Sequence, residues 1–314
     1  MNSPAIYAQD QGLEFLWVEL TNRCNLECVH CYADSRATAP LRDKLTDADY
    51  MRLISEAADL GCRKVQFIGG EPTLHPSLPT FIKHAKNCGM EFIEVYTNAV
   101  RIPDDLLECF RVYQVAVAVS FYSQDHIIHD SITHVAGSCR ATVRNLKRIV
   151  EAGLSVRAGI VEMDANTGTI DETIKFLNNI GIQSCGADRE RAFGRAGDLD
   201  PKLTNLCGSC WQGSVCIHPD GQVSPCIMSR SWPVGSVIET PLAEIIRSKS
   251  LQSVRERVYN DVWLPHQAVS QEVMKASVKT PTSCQPCDPT CGPRCGPSCQ
   301  PCWPFGKCRP QTGN

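Results

Sequence analysis

The sequence lacks an excess of charge of either sign: its 314 residues include 31 Lys and Arg against 34 Asp and Glu. This balance gives no reason to expect a polyanionic partner such as nucleic acid. The N-terminus, MNSPAIYAQDQGLEF, has neither the basic nor the apolar segment of a secretory signal. The longest nearly apolar run, residues 115–122, is far too short to span a bilayer. These absences predict a cytoplasmic protein with no membrane segment and no nucleic-acid partner.

Cysteine is abundant, with 19 residues. Clustered cysteines in a reducing compartment more often bind metal or do redox chemistry than form disulfides. Five are scattered singly, and we interpret these as small packing residues. The other fourteen form three groups, which are Cys24, Cys28 and Cys31 near the start, Cys207, Cys210, Cys216 and Cys226 in the middle, and Cys284, Cys287, Cys291, Cys295, Cys299, Cys302 and Cys308 in the tail.

Residues 15–200 show alternating strand and helix patterns. Strand-like runs lie at 15–20, 64–69, 91–97, 114–121, 155–163 and 183–188, and helical patterns at 46–60, 78–88, from 103, 138–152 and 171–180. Thr46 and Ser138 are expected to cap two of these helices. Six strands separated by helices predict an α/β fold with a parallel sheet and right-handed crossovers.

The pattern changes after residue 200. Residues 217–226 predict a hairpin with Asp220-Gly221 as its turn, and residues 242–258 predict an amphipathic helix. From about residue 280 the chain is a Cys/Pro/Gly tract, which needs cross-links or metal to hold a shape. We therefore divide the chain into two domains, 1–200 and 201–314.

The first cysteine group, TNRCNLECVHCY, directly follows the first predicted strand, and ligands of parallel α/β sheets sit where strands end. Its C-x3-C-x2-C spacing can hold three irons of a [4Fe-4S] cluster and leave the fourth iron open. A zinc site is the alternative, with His30 as a fourth ligand, although zinc prefers four closed ligands.

The second strand ends in Gly69-Gly70-Glu71-Pro72. The two glycines allow a ligand close to the backbone, and Glu71 offers an acceptor for an ammonium group, although alone this motif is simply a tight turn.

Together, the cysteine loop, the aromatic residue after it, the GGEP motif and the Thr97-Asn98 pair resemble the radical S-adenosylmethionine (SAM) superfamily over roughly residues 15–190. The resemblance implies a partial (β/α)6 TIM-like barrel with a [4Fe-4S] cluster and SAM at its mouth. Reduction of the cluster by an external reductant such as flavodoxin or ferredoxin would split SAM into methionine and a 5′-deoxyadenosyl radical. That radical would abstract hydrogen from an unactivated C–H bond.

The resemblance also implies site residues by position. The cluster ligands would be Cys24, Cys28 and Cys31, and the SAM-binding residues would be Tyr32 by the adenine, Gly69, Gly70 and Glu71 at the methionyl amine, and Asn98 and Ser120 near the ribose or carboxylate. One position departs from the pattern. Many relatives carry an Arg that could hold the SAM carboxylate where Thr133 stands here, so Arg157 on the next strand is our candidate for that role.

The middle cysteines resemble the SPASM/twitch extension of the same superfamily, which carries auxiliary [4Fe-4S] clusters. By that resemblance the predicted auxiliary ligands are Cys210, Cys226, Cys284 and Cys287, with Cys216 as a competitor. Cys299, Cys302 and Cys308 supply part of the signature for a second auxiliary cluster, and the rest of that signature is missing. We therefore expect one auxiliary cluster and leave a second one open. A zinc-stabilised or disordered tail is the alternative.

An auxiliary cluster could accept the electron that a substrate radical loses, which would turn a carbinol into a ketone or form a new bond. A side chain must then take the proton. The catalytic candidates are Glu162 at the end of the fifth strand and Asp188, Glu190 and Arg191 in the segment DRERAFGR, with Arg189 and Arg195 as further substrate contacts. A solvated charged loop is the alternative interpretation of this segment.

Three functions remain open. We favour oxidation of a small molecule, an aminocyclitol or aminoglycoside intermediate, because only about 14 residues precede the first strand and leave no room for a leader-binding domain. The alternative is maturation of a ribosomally made peptide by cross-linking, thioether formation or epimerisation. A non-catalytic iron–sulfur electron carrier would explain the cysteines, but neither the GGEP motif nor the six-strand barrel.

Overall fold

The computed structural model describes residues 12–39, 43–197 and 200–267. The predicted tail ligands, Cys284, Cys287, Cys299, Cys302 and Cys308, lie outside the described residues. Within those ranges, no helix has both the length and the apolar character needed to cross a membrane.

Strands and helices alternate through the first 190 residues. The strands are β1 Phe15–Glu19, β2 Lys64–Ile68, β3 Phe92–Thr97, β4 Ala116–Ser120, β5 Val156–Glu162 and β6 Ser184–Arg189. The helices are α1 Asp47–Asp59, α2 Leu78–Asn87, α3 Asp104–Tyr113, α4 His126–Thr133, α5 Ser138–Glu151 and α6 Ile170–Asn179. Every strand predicted for this part is present, whereas the sequence patterns missed helix α4.

The six strands pair in sequence order, and every neighbouring pair is parallel. Helical crossovers of this kind build a single curved sheet with helices on its outer face. The predicted α/β fold, a partial (β/α)6 barrel, is therefore confirmed.

After β6 the chain returns to the first strand. β7 Ser214–Ile217 pairs with β1 in parallel, and β8 Gln222–Ser224 and β9 Gly235–Ser236 continue the sheet as antiparallel strands. The Asp220-Gly221 turn joins β7 to β8 as predicted. The sheet thus crosses the proposed domain boundary near residue 200, so the cysteine-bearing extension begins inside the sheet of the barrel.

Helix starts follow local side-chain chemistry. Thr46 caps α1 in a reciprocal capping box with Asp49, as the sequence predicts. The predicted cap of α5 is wrong: the cap position is Gly137 at φ +82°, and the Ser138 hydroxyl binds Asp130 and Thr133 instead.

The predicted helix over 242–258 is in fact two helices, α7 Leu242–Ile246 and α8 Lys249–Val258, followed by a π-helical turn at Tyr259–Trp263. Ser248 causes the break, because its hydroxyl accepts a hydrogen bond from Leu251 N and thereby starts a new helix.

The interior of the barrel holds a buried ion pair. Arg157 on β5 donates two hydrogen bonds of 2.8 Å each to the Glu94 carboxylate on β3. Gln66 donates to the same carboxylate, and the guanidinium lies 5.3 Å from the centroid of the Tyr96 ring. These contacts tie three strands together across the lumen. A buried ion pair depends strongly on both partners, since either charge alone is costly in the interior.

We predict that Glu94→Ala lowers the free energy of unfolding by about 3–5 kcal/mol, because the Arg157 guanidinium loses the buried carboxylate with which it pairs. Chemical denaturation followed by circular dichroism measures this loss. Glu108→Ala is the control, because Glu108 pairs with Arg111 on the surface, and its midpoint should stay at the wild-type value. Equal midpoints for the two variants would contradict the prediction.

Candidate functional site

The three cysteines of the first group lie in the loop after β1. Leu26 N donates a hydrogen bond to Cys24 Sγ and Ser35 N donates one to Cys31 Sγ, each at 3.4 Å. The Tyr122 hydroxyl lies 3.9 Å from Cys28 Sγ. Donors directed at sulfur favour the thiolate, which is the form that binds iron.

Burial opposes that ionisation in the absence of a cation. It raises the pKa of Cys28 to about 12 and also raises the pKa of Cys24, and the neighbouring sulfurs add to both increases. A bound metal removes this penalty, because metal binding and deprotonation are coupled. Three cysteines of one loop, each with a hydrogen-bond donor near its sulfur, fit three irons of a [4Fe-4S] cluster.

His30, the possible fourth ligand of a zinc site, lies within the same loop. Its ring packs edge-on against Tyr122, with centroids 4.8 Å apart. Burial lowers the pKa of His30 to about 4, and its Nδ1 has no hydrogen-bond partner among the described residues. The imidazole is therefore neutral in this structure, and its ring is held beside the cysteine loop by Tyr122.

Helix α4 and Arg195 hold the cysteine loop from outside. The backbone N–H of Val29 donates to Ile132 O at 3.0 Å. Arg195 donates from Nε to Cys28 O at 2.8 Å and from Nη2 to Ser35 O at 3.0 Å. The structure thus places Arg195, predicted as a substrate contact, in the support of the loop.

The GGEP turn packs directly on the chain that leads into the cysteine loop. Gly70 N donates to Thr21 O at 2.8 Å, and Glu71 N donates to Arg23 O at 2.9 Å. A Cβ atom on Gly70 would lie 2.1 Å from Arg23 O, and one on Gly69 would lie 2.7 Å from Thr21 O. Both glycines are therefore required for close approach of backbone to backbone.

The Glu71 carboxylate accepts several hydrogen bonds from the protein itself. It accepts hydrogen bonds from the Thr97 hydroxyl at 2.6 Å, from Asn98 N at 2.8 Å and from the Thr73 hydroxyl at 2.7 Å. Burial raises the pKa of this carboxyl, and the three donors oppose the increase. The side chain ties the GGEP turn to the end of β3, and its role as an acceptor for the ammonium group of SAM stays a prediction.

The other predicted SAM-binding residues lie near the C-terminal ends of the strands. Asn98 follows β3, donates to Asn25 Oδ1 at 2.7 Å and lies 3.7 Å from Cys24 Sγ. Ser120 ends β4, and Tyr32 follows the third cysteine. Their contacts with SAM stay predictions. Arg157 lies deeper, where its guanidinium is committed to Glu94, so the geometry gives its predicted role no support.

A charged network that the sequence did not reveal lies at the seam between β1 and β7. Glu19 is fully buried and accepts from the Tyr32 hydroxyl at 3.2 Å and from Arg230 Nη2. His218 Nδ1 lies 2.6 Å from the same carboxylate. Burial alone would raise the pKa of Glu19, but the cationic neighbours hold it below its ordinary value. Acidic and basic residues far apart in sequence carry no local pattern that could have identified this network.

The network continues toward the middle cysteines. His218 Nε2 lies 2.7 Å from the Ser224 hydroxyl, which donates to Cys226 O at 2.8 Å. His218 and Ser224 therefore connect the Glu19 carboxylate to the backbone of Cys226.

The middle cysteines make two sets of short contacts. The sulfurs of Cys210 and Cys226 lie 2.7 Å apart, and Cys207 contacts Cys210. Cys216 instead lies 3.7 Å from His218 Nδ1, inside the seam network. The structure thus groups Cys207, which was outside the predicted ligand set, with Cys210 and Cys226. Cys216 also lies near enough to Cys226 for the two sulfurs to interact electrostatically, so its role as a competing ligand stays a prediction.

The group of three sulfurs fits an iron–sulfur cluster by its chemistry and its surroundings. Three buried or half-buried thiols supply the ligand type that such clusters require. Arg255 provides a positive charge beside Cys210, and its Nε has no hydrogen-bond partner among the described residues. Burial lowers the pKa of Arg255 to about 10, and Cys210 counters part of this effect. The other predicted ligands of this cluster, Cys284 and Cys287, lie outside the described residues.

The catalytic candidates are placed at two depths. Asp188 and Arg191 form a buried ion pair of 2.8 Å, and Arg191 also donates to Asn205 O. Glu162 and Glu190 are exposed and are joined by a hydrogen bond of 2.9 Å from Glu190 N to Glu162 O. The first pair supports the fold beside the middle cysteines, and only the second presents carboxylates to solvent.

Comparison with protein families matches residues 18–177 to the Radical SAM superfamily and residues 207–291 to SPASM, an iron–sulfur cluster-binding domain. The antilisterial bacteriocin subtilosin biosynthesis protein AlbA of Bacillus subtilis is 23% identical over 266 residues, which cover 73% of this chain and 58% of AlbA. A probable GTP 3′,8-cyclase of Methanopyrus kandleri is 28% identical over 164 residues, 52% of each chain. This chain spans little more than half the length of these two relatives.

Among solved structures, Streptococcus suis SuiB bound to precursor peptide SuiA matches with a TM-score of 0.66 and 16% identity. The match covers 79% of this chain and 68% of SuiB. At this identity the likeness shows a shared fold.

We predict that Gly70→Ala weakens SAM binding at least about tenfold, because the new Cβ would displace the backbone of Arg23, next to the first cysteine. Equilibrium dialysis on the iron-loaded protein measures the affinity. Gly12→Ala is the control, since nothing lies within 4 Å of its Cβ position. Wild-type affinity in Gly70→Ala would contradict this role of the GGEP turn.

We predict that Cys207→Ala and Cys226→Ala each lose about four irons after anaerobic reconstitution, whereas Cys216→Ala retains the wild-type content. Iron and sulfide quantification, with Mössbauer spectra, measures the difference. Wild-type totals of about eight or about twelve irons would correspond to one or two auxiliary clusters. If only Cys216→Ala lost iron, Cys216 would be the ligand instead of Cys207 and Cys226.

Proposed function

Because the chain belongs to the radical SAM superfamily and carries a SPASM domain, we propose that it is an oxidising radical SAM enzyme whose substrate is a peptide. SAM and a [4Fe-4S] cluster are the cofactors of its barrel, and auxiliary iron–sulfur clusters are those of its SPASM domain. When bound, they supply a 5′-deoxyadenosyl radical and an acceptor for one electron. We also propose that it acts in the cytoplasm, where thiols stay reduced.

The observation that carries the oxidative reaction is the position of the two cysteine groups. They lie on either side of the β1–β7 seam, and one hydrogen-bonded path joins them from Tyr32 through Glu19, His218 and Ser224 to Cys226. This path fixes the residue next to Cys31 relative to a cysteine of the second group. Hydrogen abstraction and electron removal can therefore act on one substrate in the lumen while the two cysteine groups keep fixed relative positions.

Two observations favour a peptide as the substrate. AlbA is named for the biosynthesis of a bacteriocin, and SuiB has been solved with a precursor peptide bound. In addition, β6 pairs only with β5 among the described strands, and most of its residues are half-exposed. This open side gives an extended chain access to the lumen, and a free strand edge is a common site for peptide binding.

The second candidate is oxidation of an aminocyclitol, which the exposed carboxylates of Glu162 and Glu190 favour. They lie at the ends of neighbouring strands and could bind the ammonium groups of such a molecule. In this case one of them would also take the proton when a carbinol becomes a ketone.

The test is incubation of the reduced, iron-loaded enzyme with SAM and either a panel of precursor peptides or a panel of aminocyclitols. We expect 5′-deoxyadenosine to appear in step with a peptide that has lost two hydrogens, measured by mass spectrometry. Turnover with an aminocyclitol alone would establish the second candidate. No SAM cleavage at all in loaded protein would favour the non-catalytic electron carrier.

We predict that Glu19→Gln separates SAM cleavage from product formation. The neutral amide no longer balances Arg230 and His218, so the two cysteine groups lose their fixed relation. The ratio of product to 5′-deoxyadenosine should fall about tenfold, and abortive cleavage should continue. Glu239→Gln, on an exposed turn, is the control. An unchanged ratio in Glu19→Gln would show that the network does not serve the reaction.

A further inference from the structure

In the proposed function, SAM cleavage takes one electron at the first cluster, and the substrate radical later gives one electron to the auxiliary cluster. The first step requires an electron donor that reaches the cysteine loop of residues 24–31. We propose that an acidic one-electron carrier of the flavodoxin class docks on a basic groove beside this loop; the inference rests on the proposed function. The basic groove, of about 460 Å³, is lined by Gln124, His126, Cys139, Arg140, Val143, Arg144, Lys147 and Phe176. The donor is oxidised by one electron and the cluster reduced by one, and no atom is transferred.

The charge of the groove is concentrated on one face of α5. Arg140, Arg144 and Lys147 follow each other at intervals of four and three residues, so they lie on one face of the helix. All three are exposed, and none forms an ion pair within the described ranges. Three uncompensated cations contrast with the net charge of −3 of the whole chain. Such a patch attracts an acidic partner selectively, and the attraction weakens with salt.

An exposed apolar residue follows the groove residue His126 in the chain. Ile127, on the first turn of α4, exposes 69% of its surface, the highest value among the large exposed hydrophobic residues described. A small apolar centre with a charged rim is suited to a short-lived redox complex, which buries little area and must separate after each transfer. Acidic groups close by are Asp125, whose carboxylate accepts from Ile127 N, and Glu172, which accepts from Gln124.

The residue after Ile127 points to the other side, toward the cysteine loop. Ile128 packs in a small cluster with Tyr122, and Cys28 and Val29 of the loop pack against the same cluster. Helix α4 is therefore a single layer between the exposed surface and a predicted cluster ligand. Because electron transfer becomes slower with distance, the surface over α4 is a short route into the site.

The alternative is an ordinary solvated helix face, on which lysine and arginine have no specific partner. The experiment therefore compares Arg140→Gln/Arg144→Gln/Lys147→Gln with a matched control, Lys83→Gln/Lys86→Gln/Arg257→Gln. Both triples remove three exposed positive charges, so a difference between them reports on position. Ile127→Ser tests the apolar centre.

Two readouts are measured on the full-length, iron-loaded protein. The first is the Kd for oxidised flavodoxin at low and high salt, from flavin fluorescence. The second is the rate of SAM cleavage driven by reduced flavodoxin, set against the rate driven by dithionite. We expect the groove triple to raise the Kd and the KM for flavodoxin about tenfold at low salt, with the dithionite-driven rate unchanged. Ile127→Ser should raise both by a smaller factor.

Equal Kd and KM values for the two triples would overturn the docking site. Loss of the dithionite-driven rate in the groove triple would also overturn it, because the residues would then support the site and not the partner. Failure of the wild-type protein to cleave SAM with dithionite would instead contradict the proposed function, so the two failures are distinguishable.

Discussion

The buried carboxylate of Glu19 is the constraint on which the functional region depends. It has no exposed surface, and it is balanced by Arg230 and His218, which come from the far end of the described chain. A buried charge without these partners would be costly, so the hairpin of β7 and β8 must close against β1 for the protein to be stable. The same requirement that completes the sheet also brings the second cysteine group to the first.

Rigidity at this seam has a chemical use. A radical reaction is faster when the reacting centres are held in position before it begins, because the protein then does not have to rearrange during the reaction. The cysteine loop is held at the seam by Tyr32, outside the barrel by Arg195, and below by the GGEP turn. The other side of the barrel, at β6, has no strand beyond it among the described residues. The fold thus combines a fixed chemical centre with an accessible side, which suits a large or extended substrate.

Patterns of short range could be predicted from the sequence. The strands, the α1 cap at Thr46 and the Asp220-Gly221 turn follow from alternation, capping and turn chemistry, which act over a few residues. The cap at Ser138 and the continuous helix over 242–258 were wrong for an equally local reason. The Ser138 hydroxyl has stronger partners in Asp130 and Thr133, and Ser248 begins a new helix where periodicity alone continued the old one.

The sequence by itself determined the family, the barrel and the three-cysteine loop, because the spacing of residues close in the chain encodes them. Only the tertiary structure placed Cys207 beside Cys210, joined Cys216 to His218 and gave Glu71 and Arg157 hydrogen-bond partners inside the protein. The reason is physical. Which sulfur meets which, and which charge is free, depends on the pairing of β7 with β1 and on residues up to about 200 positions apart, and no local pattern records such contacts.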